Sequence, residues 1–476
     1  MEKTIDRISQ LPDVLHYLPD DVLHYILSLM PLKLLVRTSI LSSKWRNLWK
    51  SIRAYDTALD LGVEFTSGQT QEEFVTTVNR YLQLHKSKEI QIFRLSFLPC
   101  NQSNAEKWVE FAAAKRVKEL HIDFKEHVPY KFLNSIFDCD CITHLNLSGG
   151  DFRLALNFKG FTYLKTLHLS DFRVTDALFE IMLSNCPLLE DLSLRSCPDL
   201  TRVKVSAPDL PLKRLTVFKC CNLNEIEIFA PNLQSFYFDG SFVRTAMSFK
   251  NISSLVDVFV NGRSRDLYNQ SRDWITVLNH LKHVNILTLC DVSLKHVHYD
   301  WYGRIHDLPI TFYNLQELEL LVDRSESLFP VLTYSFFKKC LSPSLEKLFI
   351  ELLFTNIDED KKLWAMQNRA MGCRTIETPD ITFHHLKVIK INGCRGLYDE
   401  LKLVKFFLEK SIVLEKLVLV VHPIGLRTKN VLRYLRRRVL LLANASSSNA
   451  HISICEYWDE DRSLAPVHDE VYHDKK

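Results

Sequence analysis

Glycine is scarce in this sequence, at 12 of 476 residues. There is no P-loop, no G-x-S-x-G elbow, no H-E-x-x-H pair and no cysteine–histidine signature. Each of those patterns brings a backbone close to a phosphate, or a nucleophile or metal close to its base. Their absence weighs against catalysis by this chain. An excess of charge of one sign is lacking as well. The 60 Lys and Arg stand against 57 Asp and Glu, and the net charge of +3 gives no general pull toward nucleic acid or a membrane surface. No apolar run is long enough to span a bilayer, and the opening "MEKTIDRISQ" has no apolar signal core. The expected compartment is therefore the nucleus, the cytoplasm or both, without secretion. The 12 cysteines include no C-x-x-C pair, and Cys139-x-Cys141 and Cys220-Cys221 lack partners at zinc spacing. Reduced thiols are expected, with no metal and no cofactor.

What is present is a repeat. An apolar pattern, x-x-apolar-x-apolar, recurs from residue 92 to residue 419. It reads "IFRLSF" at Ile92, "VKELHI" at Val117, "ITHLNL" at Ile142, "LKTLHL" at Leu164, "LEDLSL" at Leu189, "LKRLTV" at Leu212, "LQSFYF" at Leu233 and "LVDVFV" at Leu255. Further copies are "VNILTL" at Val284, "LQELEL" at Leu315, "LEKLFI" at Leu345, "LKVIKI" at Leu386 and "LEKLVL" at Leu414. Early spacings of 21 to 25 residues fall in the leucine-rich-repeat range, and later ones stretch to between 28 and 41. The alternation at the end of each copy makes a short half-buried strand. One such strand cannot bury its apolar side alone, whereas stacked parallel copies bury each other's, and a curved solenoid results. "VTDALFEIMLSNCPLLEDLSL" places a helix before its strand, with Thr175 as cap. "LTRVKVSAPDL" and "LNEIEIFAPNL" instead predict short extended segments at the back. Cys197, Cys220 and Cys394 each follow a strand's last apolar residue by three, which predicts thiols packed under the turn.

The amino-terminal stretch repeats a word. "LPDVLHY", from Leu11, is followed at once by "LPDDVLHY", from Leu18. In the second copy Pro19 can start a helix, Asp20 and Asp21 favour its positive end, and Val22, Leu23, Ile26 and Leu27 form an apolar stripe. Met30-Pro31 ends that helix, and two more short ones follow, the last with Trp45, Leu48 and Trp49 on one face. So short a three-helix segment closes a core with difficulty, which suggests a partner-docking module. A helical cap on an exposed solenoid end is the alternative.

The stretch from Leu18 to Trp49, with "RTSILSSKWRNLW", resembles an F-box of the plant type, and the repeats resemble the leucine-rich repeats that follow such boxes. "FHHLKVIKINGCRGLYDELKLVKFFLEKSIVLEKLVLVV", from Phe383, and "LLANASSSNAHISI" resemble the FBD region of the same family. The fold class implied is α/β: a three-helix F-box, then a curved leucine-rich-repeat solenoid with a parallel sheet, capped by an FBD-like α/β segment. Its divisions are 1–17 for the partial duplicate, 18–55 for the F-box, 56–90 for a helical linker, 91–380 for the solenoid, 381–455 for the FBD-like region and 456–476 for a loose polar tail. The resemblance implies a non-catalytic substrate-recognition subunit of a ubiquitin ligase of the Skp adaptor–cullin–F-box type. Its partners would be a Skp-family adaptor, cullin through that adaptor, and an unknown protein substrate. Leu18, Pro19, Ile26, Leu27, Leu32, Leu35 and Trp45 would lie at or just beneath the adaptor contact. Relatives carry an acidic residue where this chain has Leu34. Only the second copy of the repeated word keeps its spacing to Met30-Pro31 and Trp45, so the second is expected to be the working copy and the first a spacer.

Two other function classes stay open at this point: an adaptor-binding scaffold that delivers no substrate, and a small-molecule-sensing receptor with a pocket in the solenoid. Within each repeat the residue between the last two apolar positions should point onto the concave sheet. From Val117 this column runs His121, Asn146, His168, Ser193, Thr216, Tyr237, Phe259, Thr288, Glu319, Phe349, with the first five solvated. Tyr237, Phe259 and Phe349 are the candidate substrate contacts, with the insertion after Glu351 as a lid. Alternatively, Tyr237 and Phe259 pair with each other and steady the sheet. His296, His298, Asp300 and His306 form a weak candidate metal cluster, with His296 and His298 on one side of a strand. Arg433, Arg436, Arg437 and Arg438 read as a solvated helix face, or as a nuclear signal or docking patch.

Overall fold

The computed structural model describes residues 19–30, 34, 55–62, 65, 68–97, 102–124, 131–132, 141–152, 161–206, 208–241, 245–262, 274–300, 309–323, 329–353, 378–421, 428–444, 450–457 and 462–473. They fall into two compact units, Met1–Val174 with Ile181–Leu189, and Thr175–Glu180 with Glu190–Lys476.

In the first unit a helix spans Asp20–Ser28, with Pro19 at its N-cap. A missing N–H costs nothing at that position, and φ of −57° suits the ring. Leu23 and Leu27, one turn apart, are fully buried, while Val22 and Ile26 beside them are 41% and 37% exposed. A second helix, Gln71–Leu84, opens on a capping box in which Thr70 and Glu73 satisfy each other's backbone N–H. Its Phe74 packs edge-on against Trp108, whose indole N–H donates to Asn79 at 2.8 Å. The strands are β1 (Ala58–Leu61), β2 (Ile92–Phe97), β3 (Glu119–Phe124), β4 (Lys131–Phe132), β5 (His144–Phe152) and β6 (Thr166–Arg173). Strands β1, β2, β3, β5 and β6 pair in parallel in that order. Strand β1 lies inside the segment expected to be a helical linker, so repeat-like pairing begins one strand earlier than the leucine pattern indicated.

The second unit carries the longer run of parallel strands. These are β7 (Asp191–Arg195), β8 (Arg202–Ser206), β9 (Arg214–Phe218), β10 (Glu225–Phe229), β11 (Ser235–Gly240), β12 (Ala246–Lys250), β13 (Asp257–Gly262) and β14 (Ile286–Cys290). After them come β15 (Ile310–Thr311), β16 (Glu317–Asp323), β17 (Cys340–Leu341), β18 (Lys347–Leu353), β19 (Val388–Cys394), β20 (Lys416–Val421) and β21 (His451–Glu456). Strands β7, β9, β11, β13, β14, β16, β18, β19, β20 and β21 are neighbours in that order. The apolar residues of each repeat line one side: Leu345, Leu348 and Ile350, for example, are all within 1% of full burial. Burying each such side chain contributes about 1.5–3 kcal/mol, which is why the pattern holds its register for so long.

Between these strands, β8, β10 and β12 form a separate three-stranded sheet in place of helices. Val203, Val205, Ile226 and Ile228 point inward, and the alternating charges point out. Arg202 meets Glu225 at 3.1 Å and Lys250 meets Glu227 at 3.0 Å, exposed pairs that set register more than stability. Backbone at Ser196 and Lys219 turns left-handed, with φ of 51° and 55°. That turn drops Cys197 and Cys220 into the interior. The Cys220 thiol sits 3.6 Å from the Phe218 carbonyl, and that of Cys394 sits 3.3 Å from the Ile391 carbonyl. Burial pushes the thiol of Cys186 up to about 11 and raises those of Cys290 and Cys340.

The turn after β19 explains the run "NGCRGLYDE". Gly393 has φ of 81°, and a Cβ there would lie 2.7 Å from the Leu352 carbonyl oxygen. Gly396, with φ of 77°, passes against Tyr434 and Leu435. The Glu400 carboxylate then accepts the backbone N–H groups of Arg395, Gly396 and Leu397 at 2.9, 2.8 and 3.1 Å. It thereby starts the helix Tyr398–Lys410 and satisfies three donors that the turn would otherwise bury. Strands β19 and β20 thus extend the parallel pairing from β18, as expected of the carboxy-terminal repeats.

Candidate functional site

The pairing register turns the expected column of residues into a physical row. Ser193, Thr216, Tyr237, Phe259, Thr288, Glu319, Phe349 and Lys390 are successive partners across β7 to β19. Two residues earlier on each strand, and so on the same face, lies a second row that includes Asp257 and Glu317. The face bearing these rows is termed the front face.

The front face of the second unit is not solvated as the sequence suggested. Ser193 and Thr216 are buried, Phe259 has no exposed surface, and Phe349, Thr288, Glu319 and Lys390 are each no more than 3% exposed. Much of the cover is the chain's own carboxy-terminal segment, which was expected to be loose. A short 3-10 turn at Arg462–Leu464 and a helix at Asp469–His473 flank Pro466 and His468, both buried. The imidazole of His468 lies edge-on to Tyr237 and Phe259, with centroids 5.2 and 5.5 Å away. Its Nε2 is 2.5 Å from Asp257 Oδ1, and its Nδ1 is 2.7 Å from Thr288 Oγ1. The Val467 N–H donates to Glu317 at 2.7 Å, and the Lys390 ammonium donates to the Leu464 carbonyl at 2.8 Å. A segment that is polar in sequence is therefore held by bonds to polar groups that the strands present, which composition could not reveal.

The Thr288 hydroxyl donates to Glu319 at 2.9 Å and stands 2.7 Å from His468 Nδ1. The Asp257 carboxylate accepts from Nε2–H on the other side and from the Tyr237 hydroxyl at 2.6 Å. The site is thus a slot walled by aromatic rings, with the Asp257 carboxylate at one ring nitrogen and the Thr288 hydroxyl at the other, and it fits an imidazole. Burial pulls the Asp257 carboxyl upward, but the hydrogen bonds from His468 and Tyr237 outweigh it and hold it below the usual carboxylate value. Burial and the adjoining carboxylate raise the Tyr237 phenol.

Tyr237 and Phe259 do contact each other edge-on at 6.5 Å, and both also contact His468. Phe349 sits in the same row, buried. The expected lid after Glu351 lies outside the described residues apart from the end of β18. Thr288 stood in the expected column without being singled out, and Asp257, Glu317, Lys390 and His468 were not picked out. The available signal was an acid at the start of "DVFV" and "ELEL", on the strand side that does not face the core. His296 and His298 lie on a helix, Asp291–Asp300, not on a strand, and the His298 ring bonds Ser335 at 2.8 Å. Among the described residues no group of three or more His, Cys, Asp or Glu could hold a metal; His306 lies outside them. Arg433, Arg436, Arg437 and Arg438 occupy the exposed side of the helix Thr428–Asn444, whose Leu432, Leu435 and Val439 face inward. Among the described residues no helix is long and apolar enough to cross a membrane.

At the amino-terminal end Pro19 and Ile26 are exposed and Leu27 lies beneath them in the core. Leu18, Leu32, Leu35 and Trp45 lie outside the described residues, and Leu34 is helical and exposed. A family model of the leucine-rich-repeat domain of At1g61320/AtMIF1 matches residues 81–372, an F-box model matches 8–57 and an FBD model matches 379–419. The chain belongs to the plant F-box/FBD/leucine-rich-repeat family. Relatives from Arabidopsis thaliana agree. The F-box/FBD/LRR-repeat protein At1g13570 is 26% identical over 428 residues, spanning 86% of this chain and 91% of the relative. The FBD-associated F-box protein At1g61320 is 25% identical over 413 residues, spanning 84% and 87%. The F-box protein At4g09920 is 30% identical over 260 residues, spanning 52% and 81%. The F-box match includes both copies of the repeated amino-terminal word, and the FBD match includes Gly393, Gly396 and Glu400.

Proposed function

We propose that this F-box protein is a substrate-recognition subunit of a Skp adaptor–cullin–F-box ubiquitin ligase, without catalytic chemistry of its own. The observation that carries the reading is the F-box match over residues 8–57, with a first helix that buries Leu23 and Leu27 and leaves Val22 and Ile26 outward. An apolar pair left exposed on a helix in a family-defined docking module is what an adaptor contact requires. The adaptor brings cullin, and the repeats take a protein substrate. The test is binding of a purified Skp-family adaptor to the full chain and to a chain lacking residues 1–50. Loss of binding on that deletion supports the reading, and binding that survives it refutes the F-box as the docking element.

One observation favours a second reading, an adaptor-binding protein that delivers no substrate. The row of Tyr237, Phe259 and Thr288 is already covered by the chain's own segment around His468. Ubiquitination of captured proteins in a reconstituted ligase separates the two, since the scaffold would support assembly without transfer.

A further inference from the structure

We infer that the segment Leu464–His468 is a resident ligand of the front face. The slot it fills is a peptide site, and it takes a substrate segment presenting a histidine by exchange with the chain's own. This deepens the substrate-recognition reading and rests on it.

Without the tail the slot presents a cluster of acids. Asp257, Glu317 and Glu319 bring three carboxylates to one stretch of the face across β13, β14 and β16. All three are at most 9% exposed with the tail in place. Strand pairing does not need them there, because ladder bonds are made by the backbone. Glu317 is shared between Lys347, at 3.4 Å, and the Val467 backbone N–H. Asp257 spends one oxygen on Tyr237 and the other on His468. Acids at buried positions on a sheet face carry a desolvation cost that a purely structural row of apolar residues would avoid. Here one partner of Glu317 and one of Asp257 come from a segment 150 and 211 residues away in sequence, while Glu319 accepts from Thr288.

The contacts also have the form of peptide recognition. The tail is held at two backbone points, the Leu464 carbonyl on Lys390 and the Val467 N–H on Glu317. It is held at one side chain, His468, seated between aromatic rings and bonded to Asp257 and Thr288. Backbone points fix direction and spacing for any sequence, and the slot supplies selectivity. An apolar or acidic side chain there leaves the Asp257 oxygen that faces the slot without its donor, a loss that such sites do not tolerate. A ligand tethered to its own site acts at an effective concentration in about the millimolar range. A free segment competes only if it binds more tightly or the tether is weakened, so the tail sets a threshold that a substrate must exceed.

The test uses the full chain and a fluorescent synthetic peptide of residues 462–476. Two tail variants of the full chain, His468→Ala and Val467→Pro, each remove one anchor and leave every strand intact. Wild-type chain is expected to bind the labelled peptide weakly, and both variants at least tenfold more tightly. A peptide with alanine in place of its histidine should bind neither. Melting of both variants should stay cooperative. The inference is overturned if variants that melt cooperatively bind the peptide no better than wild type, or if the alanine peptide binds as well as the native one. It is equally overturned if either substitution abolishes cooperative melting, because the segment is then part of the core and not a ligand. Adaptor binding, measured on the same samples, keeps the two proposals apart. Failure of peptide exchange with adaptor binding intact sinks this inference alone. Loss of adaptor binding with exchange intact sinks the ligase reading and leaves a peptide site.

Discussion

Replacing Glu400 by alanine tests the physical account of the FBD turn. The carboxylate is 5% exposed and accepts three backbone N–H groups, two of them, on Gly396 and Leu397, in buried bonds. Alanine removes the acceptor and leaves room for little else, because the turn passes against Tyr434 and Leu435. Each buried donor left unsatisfied costs about 1–3 kcal/mol, so two give about 4 kcal/mol. Loss of an acid from the first helical turn adds about 0.5 kcal/mol. Against a total stability of about 5–15 kcal/mol, such a cost opens the turn locally before it unfolds the chain. Hydrogen exchange of the full chain, read on fragments covering residues 395–410, is the suitable assay. At about 1.4 kcal/mol per tenfold, the alanine variant should exchange there about a thousandfold faster. All three N–H groups go to one oxygen, Oε2, so glutamine with its carbonyl there keeps the acceptor and should exchange far closer to wild type than alanine does. If the alanine variant exchanges like wild type over 395–410, the three-bond turn does not hold this region and the reasoning fails.

Three further outcomes follow from the same geometry. Gly393→Ala places a methyl 2.7 Å from the Leu352 carbonyl at φ of 81° and should lower stability by about 2 kcal/mol in chemical denaturation; no change would mean that the β18–β19 approach is looser than described. The Asp257 carboxyl lies below its ordinary value, so its contribution is present above pH 3.8 and is lost as the pH falls through the folded-state value. Protection from exchange over residues 463–473, relative to the intrinsic rate at each pH, should therefore fall in acid, and Asp257→Asn should remove that acid-dependent part; an identical profile of protection in the variant would contradict it. Leu23→Ala should cost about 2–5 kcal/mol because Leu23 is fully buried, and a cost near zero would show that the first helix does not pack as described.

Much of this was legible beforehand because periodicity is a physical constraint. The spacing from "LEDLSL" to "LEKLVL" foretold strands β7, β9, β11, β13, β14, β16, β18, β19 and β20, but not β21 or the small pair β15 and β17. "VKV" and "IEI" foretold the back strands β8 and β10, since alternation of that kind does not suit a helix, whereas β12 went unread. Cysteine three residues past the strand foretold buried thiols. Strand β1 was missed because "ALDL" is short and lacks the leading leucine of the repeat. The docked tail was missed for a stronger reason. His468 is held by Asp257 and Thr288, whose partnership with it spans 211 and 180 positions, and no local pattern encodes a bond of that range. The row itself was readable, but its solvation was not, because what covers a face is a tertiary fact.

The claim most central to the account is that the F-box helix docks an adaptor through its outward apolar residues. Ile26 is 37% exposed, so a charge at that position leaves the core of the first unit untouched. Calorimetric titration of a purified Skp-family adaptor into the full chain and into Ile26→Asp is the direct measurement. The account predicts a one-to-one complex for wild type, at least tenfold weaker binding for the variant, and an unchanged melting temperature. Deleting residues 11–17, the first copy of the repeated word, should leave the affinity within a few-fold. Equal binding by wild type and Ile26→Asp, or loss of binding on deleting the first copy alone, would contradict it.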